Sequence, residues 1–306
     1  MRVCLCYPDA DPAPWLSALR LHLPGAVIES WQPGAAMADY AVAWAPPQQF
    51  IDEQTRLKAL FNIGAGVDRL LQLRLPAQLR VVCLDDAGMA VQMAEYVCHA
   101  VLRHFREFAA YEAQARLGQW QQRAPRARAD FTVGIMGLGV LGTRVAQALR
   151  VFEYPLLGWS RSARQLDGVA CFAGASALPQ FLAACQVLVC LLPLTPDTQD
   201  LLGRARLEQL PRGAYLVNVA RGALVVEDDL LALLGSGHLA GATLDVFRSE
   251  PLSAAHPLWR HPAVQVTPHI SAQTLEAQSI LQIAGKILAL ERGAAVAGVV
   301  DLARGY

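Results

Sequence analysis

The sequence predicts an α/β fold: two domains, each built on a parallel sheet, with a cleft between them. Strand-like and helix-like segments alternate along the whole 306-residue chain, the pattern of parallel sheets covered by helices. The texture breaks once, where a long helical stretch from Met89 gives way to a fresh strand at Phe131. A single sheet would also need more than about ten strands, a number at which open sheets split or curl.

The elements follow in order. Val3–Tyr7 is a first strand, ended by Pro8 and Asp9, and a helix carries Trp15, Leu16 and Leu19. Ala26–Ser30, Tyr40–Ala43, Phe61–Ile63 and Val81–Leu84 are short apolar runs of strand length. Met89–Tyr111 reads as one long helix, with Val97, Val101, Leu102, Phe105 and Phe108 at helical spacing. The polar stretch Gln121–Asp130 is a loop before the strand Phe131–Met136. A last helix, Gln273–Leu290, would return the chain to the first domain. The expected division is 1–98 with 271–306 as one domain and 99–270 as the other.

Composition excludes several function classes. Lys+Arg and Asp+Glu both number 26, so net charge gives no support for a nucleic-acid or anionic-membrane binder. Only Lys58 and Lys286 are lysines; the other basic residues are arginines. The seven cysteines (Cys4, Cys6, Cys83, Cys98, Cys171, Cys185, Cys190) sit in apolar runs without a CxxC. They read as reduced thiols of a cytoplasmic protein, with no metal site. The N-terminus turns polar too soon for a signal peptide, and the longest apolar stretch, Phe181–Leu194, falls short of a membrane span.

Gly137-Leu-Gly139-Val140-Leu141-Gly142 follows the strand Phe131–Met136 and opens a helix, Thr143–Arg150. A bare GxGxxG is weak, but strand, turn and helix are the context it requires. Gly137 permits the tight turn, Gly139 lets main chain approach a pyrophosphate, and Gly142 lets helix and strand pack closely. N–H groups at the helix start would hold phosphate. A glycine turn without ligand is the plainer alternative. The motif predicts a Rossmann-like, dinucleotide-binding domain. Its second strand, Pro155–Trp159, should end in an acid that grips the ribose 2′-OH. Instead Ser160, Arg161, Ser162 and Arg164 stand there. Guanidinium groups suit a 2′-phosphate, so NADPH is expected over NADH. Ordinary solvated arginines are the alternative, and Asp167 is the rival ribose ligand.

Three later segments, Asn218-Val-Ala-Arg221-Gly222, Leu244-Asp245 to Glu250-Pro251, and Thr267-Pro-His269-Ile270, resemble in order and spacing the D-isomer-specific 2-hydroxyacid dehydrogenases. The resemblance covers nearly the whole chain. WAPP, GAGVD, QMAEY, GWSRS, PLWRHP and the terminal ARGY narrow it to the short bacterial glyoxylate/hydroxypyruvate reductase type. It implies reduction of small 2-oxoacids by hydride transfer from NADPH.

Such a reaction needs a carboxylate anchor, an acid for the carbonyl oxygen, and a group that keeps that acid protonated. Arg221 follows an apolar strand, Tyr215–Val219, and its fork of donors suits the carboxylate. His269 is the acid, since imidazole titrates near neutrality. His256 and His261 lie nearby, but only His269 falls at the family position. Glu250 is its partner, because a carboxylate favours imidazolium and orients the ring. By resemblance, Asp245 contacts the nicotinamide carboxamide, Leu192, Pro193 and the residues to Thr195 line the nicotinamide ribose, and Val219 and Ala220 belong to the cofactor side. Gly64, Ala65 and Gly66 could turn N–H groups toward a carboxylate. By analogy, Trp44 flanks a small pocket, with Met89 and Trp120 in the same region. Glyoxylate and hydroxypyruvate are the first-choice substrates, and a homodimer is implied. A D-lactate-type or D-3-phosphoglycerate-type dehydrogenase, or a non-catalytic dinucleotide sensor on the same fold, remain as other readings.

Overall fold

The computed structural model describes residues 1–8 and 11–305. Asp9, expected to help end the first strand, and Tyr306 of the terminal ARGY lie outside the described residues. The chain forms two compact units: Met1–Met89 with Thr274–Tyr306, and Ala90–Gln273.

In the first unit, β1 (Arg2–Cys6), β2 (Val27–Ser30), β3 (Tyr40–Ala43), β4 (Ala59–Asn62) and β5 (Arg80–Val82) form a parallel sheet in the order β2-β1-β3-β4-β5. α1 (Ala13–His22) and α2 (Gln48–Glu53) are its intervening helices. β3 and β4 are buried at every position. A strand covered on both faces has no solvent side, which is why these read as apolar runs and not as alternation.

α3 (Met89–Phe105), which from Ala90 on belongs to the second unit, is followed by α4 (Phe108–Arg116). The single helix expected over Met89–Tyr111 is broken at Glu107, whose φ of +54° is left-handed. Glu107 accepts hydrogen bonds from Arg123 and Arg126, so the chain turns where the following loop is tied down. After the break the buried stripe that ends at Phe105 is lost, and Phe108 is exposed.

A seven-stranded parallel sheet follows, from β6 (Val133–Met136), α5 (Val140–Arg150), β7 (Leu156–Ser160), β8 (Ala170–Ala173), α6 (Gly174–Ala183), β9 (Val187–Cys190), α7 (Arg204–Leu207), β10 (Ala214–Asn218), α8 (Glu227–Gly235), β11 (Leu239–Leu244) and β12 (Val264–Val266). Its order is β12-β11-β10-β9-β6-β7-β8. Successive residues face opposite sides. Leu188, Cys190 and Leu216 enter the core on one face, while Val187, Val189, Tyr215 and Val217 enter the core on the other. The chain order reverses between β6 and β9, and such a switch point opens a crevice at the carboxyl ends of the strands.

α9 (Glu276–Glu291) belongs to the first unit and buries Ile280, Ile283, Ala284 and Ile287 at helical spacing. Both lysines of the protein serve this unit. Lys58 pairs with Glu291 at 2.7 Å. Buried Lys286 donates to the carbonyls of Cys83 and Ala297 and pairs with Asp85 at 3.0 Å, fastening the C-terminal segment to β5.

All seven cysteines are free thiols. Burial pushes Cys4, Cys6 and Cys190 up to about 12, which keeps them unreactive. Among the described residues no helix is long and apolar enough to cross a membrane.

Candidate active site

The glycine turn stands at the switch point. Gly137, at φ +113°, leaves β6 so close to β9 that a Cβ there would lie 2.8 Å from the Leu191 carbonyl oxygen. A Cβ on Gly142 would sit 1.8 Å from the Gly137 carbonyl oxygen, so α5 can begin here only on glycine. Gly139 has open space where a side chain would be, and Gly139 and Val140 are exposed. α5 buries Gly142, Val145, Ala146 and Leu149, and its N-terminal N–H groups open onto that space. The helix starts at Val140, earlier than the Thr143 expected, because the turn itself supplies its first residues. These features fit a dinucleotide pyrophosphate.

At the end of β7, the Ser160 hydroxyl donates to the Ser162 carbonyl at 2.7 Å and curls the loop. Arg161 and Arg164 are exposed on it. Asp167, the rival ribose ligand, instead pairs with Arg150 at the end of α5, 2.9 Å away. The loop therefore carries two exposed arginines, while Asp167 is turned to Arg150, a charge pattern that suits a 2′-phosphate.

On the other side of the switch point, Leu192, Val219 and Ala220 are buried in the core. Their side chains anchor the strand ends, whereas Pro193 is exposed. After β10, Asn218 clamps the next turn: its amide donates to the Arg221 carbonyl at 3.0 Å and accepts from the Ala220 N–H at 3.2 Å. Half-buried Arg221 donates from Nη1 to the Ala220 carbonyl at 2.7 Å. A Cβ on Gly222 would fall 1.8 Å from the Phe247 carbonyl carbon, so this glycine seats the arginine turn against the loop that bears Glu250. In the sequence Asn218 and Gly222 stand only as the ends of the segment around Arg221, with no role of their own. The available signal was an asparagine ending an apolar strand, since a buried amide needs partners.

Glu250 accepts the Phe247 N–H through Oε1 at 2.9 Å and faces His269 Nδ1 through Oε2 at 2.8 Å. An ionised carboxylate only accepts, so Nδ1 carries the hydrogen and Nε2 is left for chemistry. The His269 side chain is 43% exposed. Its φ of +56° is left-handed, a conformation that costs a non-glycine residue roughly 1–3 kcal/mol. His256 and His261 do something else. Their Nδ1 atoms accept from the N–H groups of Leu258 and Ala263 in their own turns.

Asp245, the residue expected on the cofactor side, is fully buried. Its Oδ1 accepts from Thr267 Oγ1 (2.6 Å) and the Ile270 N–H (2.8 Å), and its Oδ2 from the Ser271 N–H (2.8 Å). Its main-chain oxygen takes the His269 N–H at 2.8 Å. The carboxylate thus ties down the loop that carries His269.

The turn, the arginine loop and the histidine loop follow β6, β10 and β12. In a parallel sheet all carboxyl ends share one edge, so they share it too.

In the first unit, Asn62 donates to the carbonyls of Gly64 (2.7 Å) and Gly66 (2.9 Å). Peptide planarity then turns the next N–H groups, those of Ala65 and Val67, the opposite way. A Cβ on Gly64 would lie 2.4 Å from the half-buried Trp44 ring, so this glycine makes room for the indole. Met89 is buried and Trp120 is fully exposed.

Residues 98–271 match the family model for the D-isomer specific 2-hydroxyacid dehydrogenase, NAD binding domain. A glyoxylate/hydroxypyruvate reductase A of Serratia proteamaculans is 47% identical over the full length of both chains. Among solved structures, a D-isomer specific 2-hydroxyacid dehydrogenase from Xanthobacter autotrophicus in complex with NADPH and MES superposes with a TM-score of 0.94. It is 40% identical, over 100% of this chain and 99% of the other. An NADPH-dependent glyoxylate/hydroxypyruvate reductase from Sinorhizobium meliloti, in complex with NADP and sulfate, gives the same TM-score and coverage at 35% identity. With more than half of the chain under the family model and a full-length relative at this identity, the protein belongs to the D-isomer-specific 2-hydroxyacid dehydrogenases.

Proposed function

We propose that the protein reduces small 2-oxoacids with NADPH, glyoxylate to glycolate and hydroxypyruvate to D-glycerate. The observation that carries the reading is the His269–Glu250 pair at 2.8 Å, on the same sheet edge as Arg221 and the glycine turn. When bound, NADPH supplies the hydride. The Gly137–Gly142 turn holds its pyrophosphate, and Arg161 with Arg164 holds the 2′-phosphate. Arg221 binds the substrate carboxylate and polarises the 2-oxo group. His269 donates a proton from Nε2 to the carbonyl oxygen as charge develops there, and Glu250 orients the ring through its hydrogen bond with Nδ1. The Gly64–Gly66 loop of the first unit is an anion nest of its own, with Trp44 beside it. The protein works as a cytoplasmic homodimer in this reading, and a monomer mass in solution would remove the dimer without touching the chemistry.

The test follows NADPH oxidation against a panel of two-, three- and four-carbon 2-oxoacids, with NADH in parallel. Turnover is expected with glyoxylate and hydroxypyruvate and to be faster with NADPH. No turnover with any acid, with NADPH still bound, would favour a non-catalytic dinucleotide sensor.

A further inference from the structure

The left-handed backbone at His269 needs something to hold it, and the holding groups form one connected chain. The N–H groups of residues 269, 270 and 271 all end on Asp245: the first on its main-chain oxygen, the others on its carboxylate. Thr267 Oγ1 adds a further bond to Oδ1 at 2.6 Å. Because the carboxylate only accepts, the single hydroxyl hydrogen of Thr267 is committed to it. The hydrogen bond between Tyr96 Oη and Thr267 Oγ1 therefore runs the other way, with the tyrosine donating. Burial pushes the Tyr96 phenol up to about 12, so it keeps that hydrogen at working pH.

Tyr96 lies on α3, and so does Gln92, one turn earlier on the same helix face. Gln92 and Gln273 exchange two hydrogen bonds, at 2.9 and 3.1 Å. α3 thus grips the histidine segment at 267 and again at 273.

We propose that Tyr96, Thr267 and Asp245 form a hydrogen-bonded mount that fixes His269 for proton transfer, with Tyr96 and Thr267 as positioning residues for the reduction. This rests on His269 being the acid. Tyr96 and Thr267 act through the histidine: they set the direction of Nε2 and touch no reacting atom.

The experiment compares Thr267→Val, Thr267→Ser and Tyr96→Phe, with Thr267→Val repeated in a His269→Gln background. The readouts are kcat, KM for glyoxylate, the NADPH dissociation constant and Tm. Thr267→Val should lower kcat ~10–100-fold, the scale of an ångström-size misplacement. NADPH affinity should stay within about twofold, and serine should restore the rate. Tyr96→Phe should lower kcat roughly 3–10-fold, and it decides the matter if the valine variant does not fold. In the His269→Gln background, Thr267→Val should cost nothing more. Wild-type kcat in both Thr267→Val and Tyr96→Phe, with His269→Gln inactive, overturns the mount alone. The same loss with and without His269 also overturns it, because the effect would not pass through the histidine. Wild-type kcat in His269→Gln removes the acid assignment and the mount together.

Discussion

Two histidines of the second unit sit in opposite surroundings. His269 presents Nδ1 to Glu250, a group that can only accept. His104, near the end of α3, presents Nε2 to Arg126 at 3.3 Å, a group that can only donate. The first ring must carry a hydrogen on the facing nitrogen, and the second must offer a lone pair there. Their exposure follows the same division. His269 stands on an open loop, whereas His104 is stacked on Tyr215 with ring centroids 4.1 Å apart and lies beside Phe131. Burial first, and the Arg126 charge second, push His104 down to about 3, against the opposing charge of Glu107. One side chain type thus presents a hydrogen to a carboxylate at one place and is barred from taking a proton at another.

The largest test of this contrast is to remove the first ring. His269→Gln keeps a polar side chain of similar length but has no proton to give. It should lower kcat by roughly 10²–10⁴-fold, the usual contribution of a positioned acid, while NADPH binding measured by fluorescence titration stays near wild type. A rate within about tenfold of wild type would place the proton donor elsewhere. The matching His104→Phe variant should keep its kcat, since His104 stacks on Tyr215 near the amino end of β10.

The contrast was only half legible in the sequence. His269 could be found because the segments that carry Arg221, Glu250 and His269 resemble, in order and spacing, those of the D-isomer-specific 2-hydroxyacid dehydrogenases. The glycine turn was legible for a similar reason. Each glycine answers a local demand, and the structure shows two of those demands as contacts too close for a Cβ. What escaped depends on tertiary partners. Thr267 and Tyr96 lie 171 residues apart, so no local pattern joins them. Asp245 reads as a strand-end acid free to meet a ligand, and only the folded loop shows its oxygens occupied. The break at Glu107 is set by Arg123 and Arg126 from the loop beyond. The helical periodicity of Met89–Tyr111 carries no trace of it.

A middle-sized effect concerns the cofactor side, where charge and not proton traffic is at stake. Arg161→Ala should weaken NADPH binding roughly 10-fold, the value of one charge-assisted contact, and leave NADH binding unchanged. Arg164→Ala should act in the same direction. Equal losses for both cofactors would mean that these arginines hold the loop and not the 2′-phosphate. Asp167→Asn should change neither, because that carboxylate is turned to Arg150.

The smallest effect lies at His104 and appears only with pH. Its folded value of about 3 lies below the ordinary 6.5 of an unfolded chain. Above pH 6.5 both states are neutral at this site and the ring costs nothing. As the pH falls below 6.5, the unfolded chain takes up a proton that the folded protein refuses, so stability declines until the pH nears 3. At pH 5 the penalty from this one group is at most about 2 kcal/mol. Phenylalanine keeps the stack on Tyr215 and does not titrate. The loss of urea resistance between pH 7.5 and pH 5 should therefore be smaller in His104→Phe than in wild type, by up to that amount. Carboxylates elsewhere contribute equally to both proteins and cancel in the difference. If the two proteins lose stability in parallel, the half-buried ring is not kept neutral by its surroundings, and the opposition between the two histidines reduces to a difference in exposure.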